Sequence, residues 1–352
     1  MPVLGPWLAL ILACRSTILT STRRPERRQF LRSARCGTVR RFRKLPSSCC
    51  LTAAGVRLYL FCWQALKEIL MSLPRSILYA VDFSDRCRAI WQAVAEMARR
   101  LDVPITAIHA LDMKFLDELD AADLEVIRGR VKAKLDRFLA AQAGASNIGR
   151  LVAEGPAAEC IVQCAANMDA PLIMMSTRGH TRFRQLLLGS VAAAVLHDAE
   201  GPVWTDAHSE NESPRDGVYR SIVCAIDMNR RTPEVLETAF EYSAKFGAVL
   251  HIVHSVPGID PRFPSGAADR AHRLLIQNAG EDFSVHCSKT RVQAPFEIVE
   301  DVGLVNGILG AVSRHDTDLL VIGRGVLKGP LGRLRTNAHE MIRRSPCPVL
   351  SI

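Results

Sequence analysis

Ser76-Ile-Leu-Tyr-Ala-Val-Asp82 and Ser221-Ile-Val-Cys-Ala-Ile-Asp227 are one phrase written twice: a Ser, an apolar run and a closing Asp. The match extends outward from both. Residues 85–101 and 232–246 carry apolar residues at helical spacing. Ile105-Thr-Ala-Ile-His109-Ala110 then answers Leu250-His-Ile-Val-His254-Ser255, and longer amphipathic stretches follow near 117–143 and 265–281. Each copy next sets an acid and a Gly ahead of a helix, as Glu154-Gly155-Pro156 and Glu300-Asp301-Val302-Gly303. The runs Pro171–Met175 and Asp318–Ile322 come after. Each copy closes on an apolar helix and a short strand: Val191–Asp198 with Pro202–Trp204, and Ala338–Arg344 with Cys347–Leu350. A self-similar unit of this length is the first thing to settle in a fold. Short strands alternating with helices demand parallel pairing, because each crossover needs a helix. Right-handed crossovers then predict two tandem doubly wound α/β domains, each a five-stranded parallel sheet covered on both faces. The domains are set at 71–206 and 218–352. Residues 206–217 are polar and turn-rich, which puts a linker at 207–217.

The net charge of +9 belongs to the N-terminal seventy residues. Thirteen of the 45 Lys/Arg and two of the 36 Asp/Glu lie in residues 1–70, leaving 32 bases against 34 acids in the repeats. The repeats therefore carry no broad basic footprint, and no nucleic-acid partner is expected. The apolar run 7–13 ends in Cys14 in the manner of a lipoprotein cleavage box. It has no positive start, and it is too short to span a bilayer, so no membrane partner is expected either. The Arg-rich stretch from Arg15 to Lys44 shows no sustained period. Residues 1–70 are read as an unstructured or misassigned extension, with translation starting at Met71. Cys160 and Cys164 stand one helical turn apart, but no second Cys/His pair accompanies them at a zinc-site interval. They read as buried apolar thiols, and this cysteine usage suits a reducing cytoplasm.

In an open α/β sheet the ligand edge lies beyond the carboxyl ends of the strands. That edge of copy one holds Asp82 and the loop from Ser176 through Arg178, Gly179, Arg182 and Arg184 to Gly189, Ser190 and Val191. A Gly there admits close backbone approach, and a helix beginning at Gly189-Ser190 offers unpaired N–H groups to an anion. In copy two the loop reads Gly323-Arg324-Gly325 and ends in Arg335-Thr336 in place of Gly-Ser. His109 and His254 recur at one position as hydrogen-bonded structural histidines. There is no Walker loop, no dinucleotide Gly-x-Gly-x-x-Gly after the first strand, and no nucleophile paired with a base.

The spacing Gly-x2-Gly-x9-Gly-Ser between the fourth strand and the last helix resembles the motif of ATP-binding universal stress proteins. The resemblance covers residues 72–352. It implies a Rossmann-like fold of the adenine-nucleotide-binding type and a cytoplasmic, non-catalytic stress-response protein. ATP or AMP would be held in copy one, with Mg accompanying the phosphates. Asp82 would then meet the adenine end beside Ala110, Ser176, Arg178 and Gly179 would wrap ribose and phosphates, and Gly189, Ser190 and Val191 would close on the phosphates. Copy two would serve as a pseudo-domain, packed as in a pseudo-dimer, and a homodimer is a further expectation. The sequence departs from the motif at Ser176, where the family has Gly. Its Cβ either crowds the ligand or its hydroxyl adds a hydrogen bond. The alternative is a member that binds no nucleotide and acts through protein contacts, and slow ATP hydrolysis ranks below both.

Overall fold

The computed structural model describes residues 73–112, 121–142, 148–169, 171–177, 188–206, 218–258, 265–301, 303–324 and 336–352. The N-terminal extension and the linker 207–217 lie outside the described residues. Copy one runs β1 Ser76–Ala80, α1 Asp85–Ala89, α2 Trp91–Leu101, β2 Ile105–Leu111, α3 Ala121–Ala140 and β3 Gly149–Glu154, then α4 Ala157–Ala166, β4 Pro171–Met175, α5 Ser190–Asp198 and β5 Val203–Thr205. Copy two runs β6 Ser221–Ile226, α6 Thr232–Phe246, β7 Val249–Pro257, α7 Ser265–Cys287 and β8 Phe296–Asp301, then α8 Leu304–Arg314, β9 Leu319–Ile322, α9 Thr336–Arg344 and β10 Val349–Ser351.

Within each copy every strand pairs in parallel, as alternating strands and helices require. The two five-stranded halves are not separate sheets, however. They form one ten-stranded sheet in the order β3-β2-β1-β4-β5-β10-β9-β6-β7-β8. The seam is its antiparallel pair, with Val203 opposite Ser351, Trp204 opposite Leu350 and Thr205 opposite Val349. Alone, β5 and β10 would each present a row of unpaired backbone groups, and pairing them removes that cost for both copies. All six seam residues are fully buried.

Strand side chains alternate between two cores, which is why the central strands β1, β4, β6 and β9 are apolar almost throughout. Ile77 and Tyr79 face α2 and α3, while Leu78 and Ala80 face α4 and α5. Both cores run across the seam, since each contains residues of both copies. Trp204 Nε1 donates to Tyr219 Oη at 2.9 Å, and Tyr219 packs on Phe246. The segment 85–101 read as one helix is two, α1 and α2, parted at Ile90. The Tyr79 hydroxyl donates to the Cys87 carbonyl, an acceptor that an unbroken helix would spend on Trp91.

Candidate functional site

The order β3-β2-β1-β4-β5 fixes where a crevice can open. From β1 the chain moves outward to β2 and β3, then crosses back to the other side of β1 for β4. The helices before and after that reversal pack on opposite faces, so the crevice lies beyond the carboxyl ends of β1 and β4. Asp82 follows β1, Ser176 follows β4, and Ala110 sits near the end of β2. The structure thus brings these three to one edge. Copy two repeats the arrangement with Asp227, Gly323 and Ser255.

The turn after the first strand is the same device in both copies. Phe83 has φ 63° and Met228 φ 51°, a left-handed step that lets the chain fold back on the preceding Asp. Asp82 Oδ1 accepts the Ser84 N–H at 2.9 Å, and Ser84 Oγ accepts the Cys87 N–H at 3.0 Å, capping α1. In copy two Asn229 donates to Asp227 Oδ1 at 2.5 Å and accepts the Arg231 N–H at 2.7 Å. The histidines also match. His109 Nδ1 lies 2.6 Å from the Val81 carbonyl and His254 Nδ1 lies 2.8 Å from that of Ile226. A carbonyl only accepts, so each Nδ1 carries a proton, and the structural role read from the sequence is the one observed. Burial pushes the His109 pKa down and Lys134 adds to this, against the opposing pull of the Val81 carbonyl. The Phe83 ring packs on His109 at 4.3 Å, with the Lys134 ammonium 4.2 Å from the centre of that ring.

At the end of β4, Ser176 and Thr177 are buried. The Thr177 N–H donates to Asp206 Oδ1 at 2.6 Å, and Asp206 Oδ2 pairs with Arg86 at 3.1 Å. The Thr177 carbonyl accepts the Gly189 N–H at 2.9 Å. Gly189 is the residue before α5 at φ −61°, ψ 146°, and no side chain caps that helix. Its own amide is therefore spent on Thr177, and what it can offer a ligand is the absence of a side chain. The first amides of α5, on exposed Ser190 and Val191, remain the donors at a positive helix end. Arg178 and Gly179 lie outside the described residues, as do Arg182 and Arg184. Asp206, the first residue of the polar stretch 206–217, is buried and directly follows β5.

Copy two places Gly323 where copy one has Ser176, and Arg324 where it has Thr177. The Arg324 N–H donates to the Ile352 carbonyl at 2.6 Å. Its side chain is 1% exposed and turns into copy one. There the guanidinium donates to the carbonyls of Leu196 at 2.9 Å and Ala199 at 3.1 Å, and to that of Gly201. These carbonyls mark the C-terminal end of α5, where a cation opposes the helix dipole. Thr336 opens α9 as Ser190 opens α5, and both helices have nine residues. Arg335 lies outside the described residues. Sequence reasoning missed Arg324 and Asp206 as structural ties, and the signal for Arg324 was an arginine following an apolar strand at its buried end. Among the described residues no group of His, Cys, Asp and Glu is arranged to hold a metal ion, and no helix is long and apolar enough to cross a membrane.

Fold and site together define a tandem α/β protein with a nucleotide-binding type of topology. The universal stress protein family model matches residues 74–205 and again 218–352, and the chain belongs to that family. A universal stress protein of Methanocaldococcus jannaschii is 30% identical over 139 residues, covering 38% of this chain and 81% of that protein. A putative universal stress protein of Staphylococcus saprophyticus is 27% identical over 128 residues, covering 35% of this chain and 77% of its own length. The crystal structure of a universal stress protein from Archaeoglobus fulgidus covers 78% of this chain and 95% of its own with a TM-score of 0.56. At 21% identity that likeness speaks for the fold.

Proposed function

We propose that this chain is a non-catalytic stress-response protein of the cytoplasm that binds one adenine nucleotide, ATP or AMP, in copy one. The observation that carries the reading is the start of α5. Its Ser190 and Val191 amides stand without a side-chain cap beside the end of β4, on the edge that also carries Asp82. A bound nucleotide supplies a flat base and a polyanion. Asp82 and the Ala110 backbone suit the base end, and Ser176, Arg178 and Gly179 suit the ribose and phosphates. Ser190 and Val191 offer N–H groups to the terminal phosphates, where Mg would accompany the charge, and Gly189 leaves room for their approach. Copy two keeps the fold and gives up the site, because Arg324 is committed to carbonyls of copy one.

Mass spectrometry of ligand released from the purified full chain tests the reading. The expected result is an adenine nucleotide in about equimolar amount, the level one copy per chain implies. A folded protein that carries none and takes up none at millimolar ATP would overturn it and favour the protein-contact alternative.

A further inference from the structure

Thr177 and Gly189, described residues of the motif region, are bonded to each other through Thr177. Its carbonyl accepts the Gly189 N–H, and its own N–H is held by the Asp206 carboxylate. The Asp206 side chain is only 5% exposed, with the Thr177 amide on one oxygen and Arg86 on the other. Arg86 stands on α1, directly after the turn built on Asp82, and Ser84 ties that turn to the helix. A continuous set of bonds therefore runs from the strand end carrying Asp82, through α1, Arg86, Asp206 and Thr177, to Gly189, the residue before α5. The two walls of the crevice are joined by it.

Copy two lacks the device. Ile352 stands in place of Asp206, and Arg231 in the corresponding helix start pairs with Glu234 at 2.9 Å within its own turn. The Arg324 N–H goes to a main-chain carbonyl. The tie thus accompanies the copy whose site is kept. We infer that Asp206 and Arg86 are positioning residues for nucleotide binding: they hold Thr177, and through it the opening of α5, in register with the β1 turn for a nucleoside phosphate. This rests on the proposed nucleotide reading.

The test uses the full chain. Asp206→Ala removes the acceptor, Asp206→Asn keeps an amide oxygen for Thr177, and Arg86→Met removes only the counter-charge. ATP affinity is read by calorimetry, and exchange of the Thr177 and Gly189 amides is read by NMR without ligand. Asp206→Ala is expected to weaken ATP binding about ten- to a hundredfold, the scale of one charge-assisted hydrogen bond, and to speed both amides. Asp206→Asn is expected to recover most of the affinity, and Arg86→Met to fall between. Wild-type affinity in a folded Asp206→Ala protein overturns the inference, as does an equal loss in Asp206→Asn. Should Asp206→Ala not fold, an unchanged affinity in Arg86→Met overturns it. If the wild type binds no ATP, the nucleotide reading falls on its own. The tie is then judged by exchange: acceleration at Gly189 in Asp206→Ala supports it, and no change overturns it.

Discussion

The two copies follow the same path and part company at the residue that follows the first loop position after the fourth strand. Copy one has Thr177 there, a short side chain whose amide is held by a carboxylate. Copy two has Arg324, a long one that leaves its own loop and caps the C-terminal end of α5 in the other copy. The N-terminal end of that same helix is the proposed anion site. On the proposed reading one copy binds, and the loop residue of the other serves it as a strut. What teaches this is the contrast with the Asp82 and Asp227 turns and with His109 and His254, which stay alike in both halves. In both copies the Asp accepts a hydrogen bond from its turn and the His stands against a carbonyl near the end of the first strand.

The largest expected effect comes from removing the strut. Arg324→Met leaves the carbonyls of Leu196, Ala199 and Gly201 short of charged donors inside the interface. A loss of about 1.5–3 kcal/mol in urea unfolding is expected, the scale of hydrogen bonds from a charged donor lost at buried acceptors. A loss under about 1 kcal/mol, the size of an ordinary surface substitution, would mean that the strut is incidental.

A smaller effect separates the first loop positions. Ser176 is buried, whereas its counterpart Gly323 has room for a Cβ only at 3.3 Å from a Val235 methyl carbon. If the Ser176 side chain crowds the ligand, Ser176→Gly tightens ATP binding by about 1–2 kcal/mol, the relief of a local steric conflict. Weakening by about 0.5–1.5 kcal/mol would instead assign the hydroxyl a hydrogen bond to the ligand. Titration calorimetry of the two proteins side by side reads the sign.

The smallest effect concerns pH. Burial lowers the His109 pKa below its usual value, so the folded state binds the proton less readily than the unfolded one. Its contribution to stability is then complete above the unfolded pKa, about 6.5, and declines as pH falls through that value toward the folded one. An NMR titration of the His109 ring should give a pKa below about 6.5 with the proton on Nδ1. A value above that would place a compensating anion beside the ring.

Much of the fold was legible because the repeat supplied each element twice. The first and fourth strands are apolar on both faces, and the second strands repeat one His at the same position; such runs are hard to mistake when they recur. The third strands were only implied. β3, Gly149-Arg-Leu-Val-Ala-Glu154, lies on the outer edge and is largely exposed, so no burial pattern is written into it. The seam strands have three residues each, too few to announce an antiparallel partner in the other copy. At the candidate site, strand ends and spacing put Asp82, Ser176, Gly189, Ser190 and Val191 on one sheet edge, and the family resemblance added Ala110. Asp206 and Arg324 were not, since their partners stand 120 or more residues away along the chain for Arg86 and for the α5 carbonyls. A side chain that acts across such a distance looks, in sequence, like any polar residue of a loop.

One calorimetric titration of ATP into the full chain and into Gly189→Val addresses the asymmetry most directly. The backbone at Gly189, φ −61° and ψ 146°, is one that valine adopts without strain, so α5 should persist and only the approach of phosphate should be blocked. The expected result is one site per chain in the wild type and none in the folded variant. Two sites of equal affinity, or a single site untouched by Gly189→Val, would contradict a protein in which one copy binds and the other supports it.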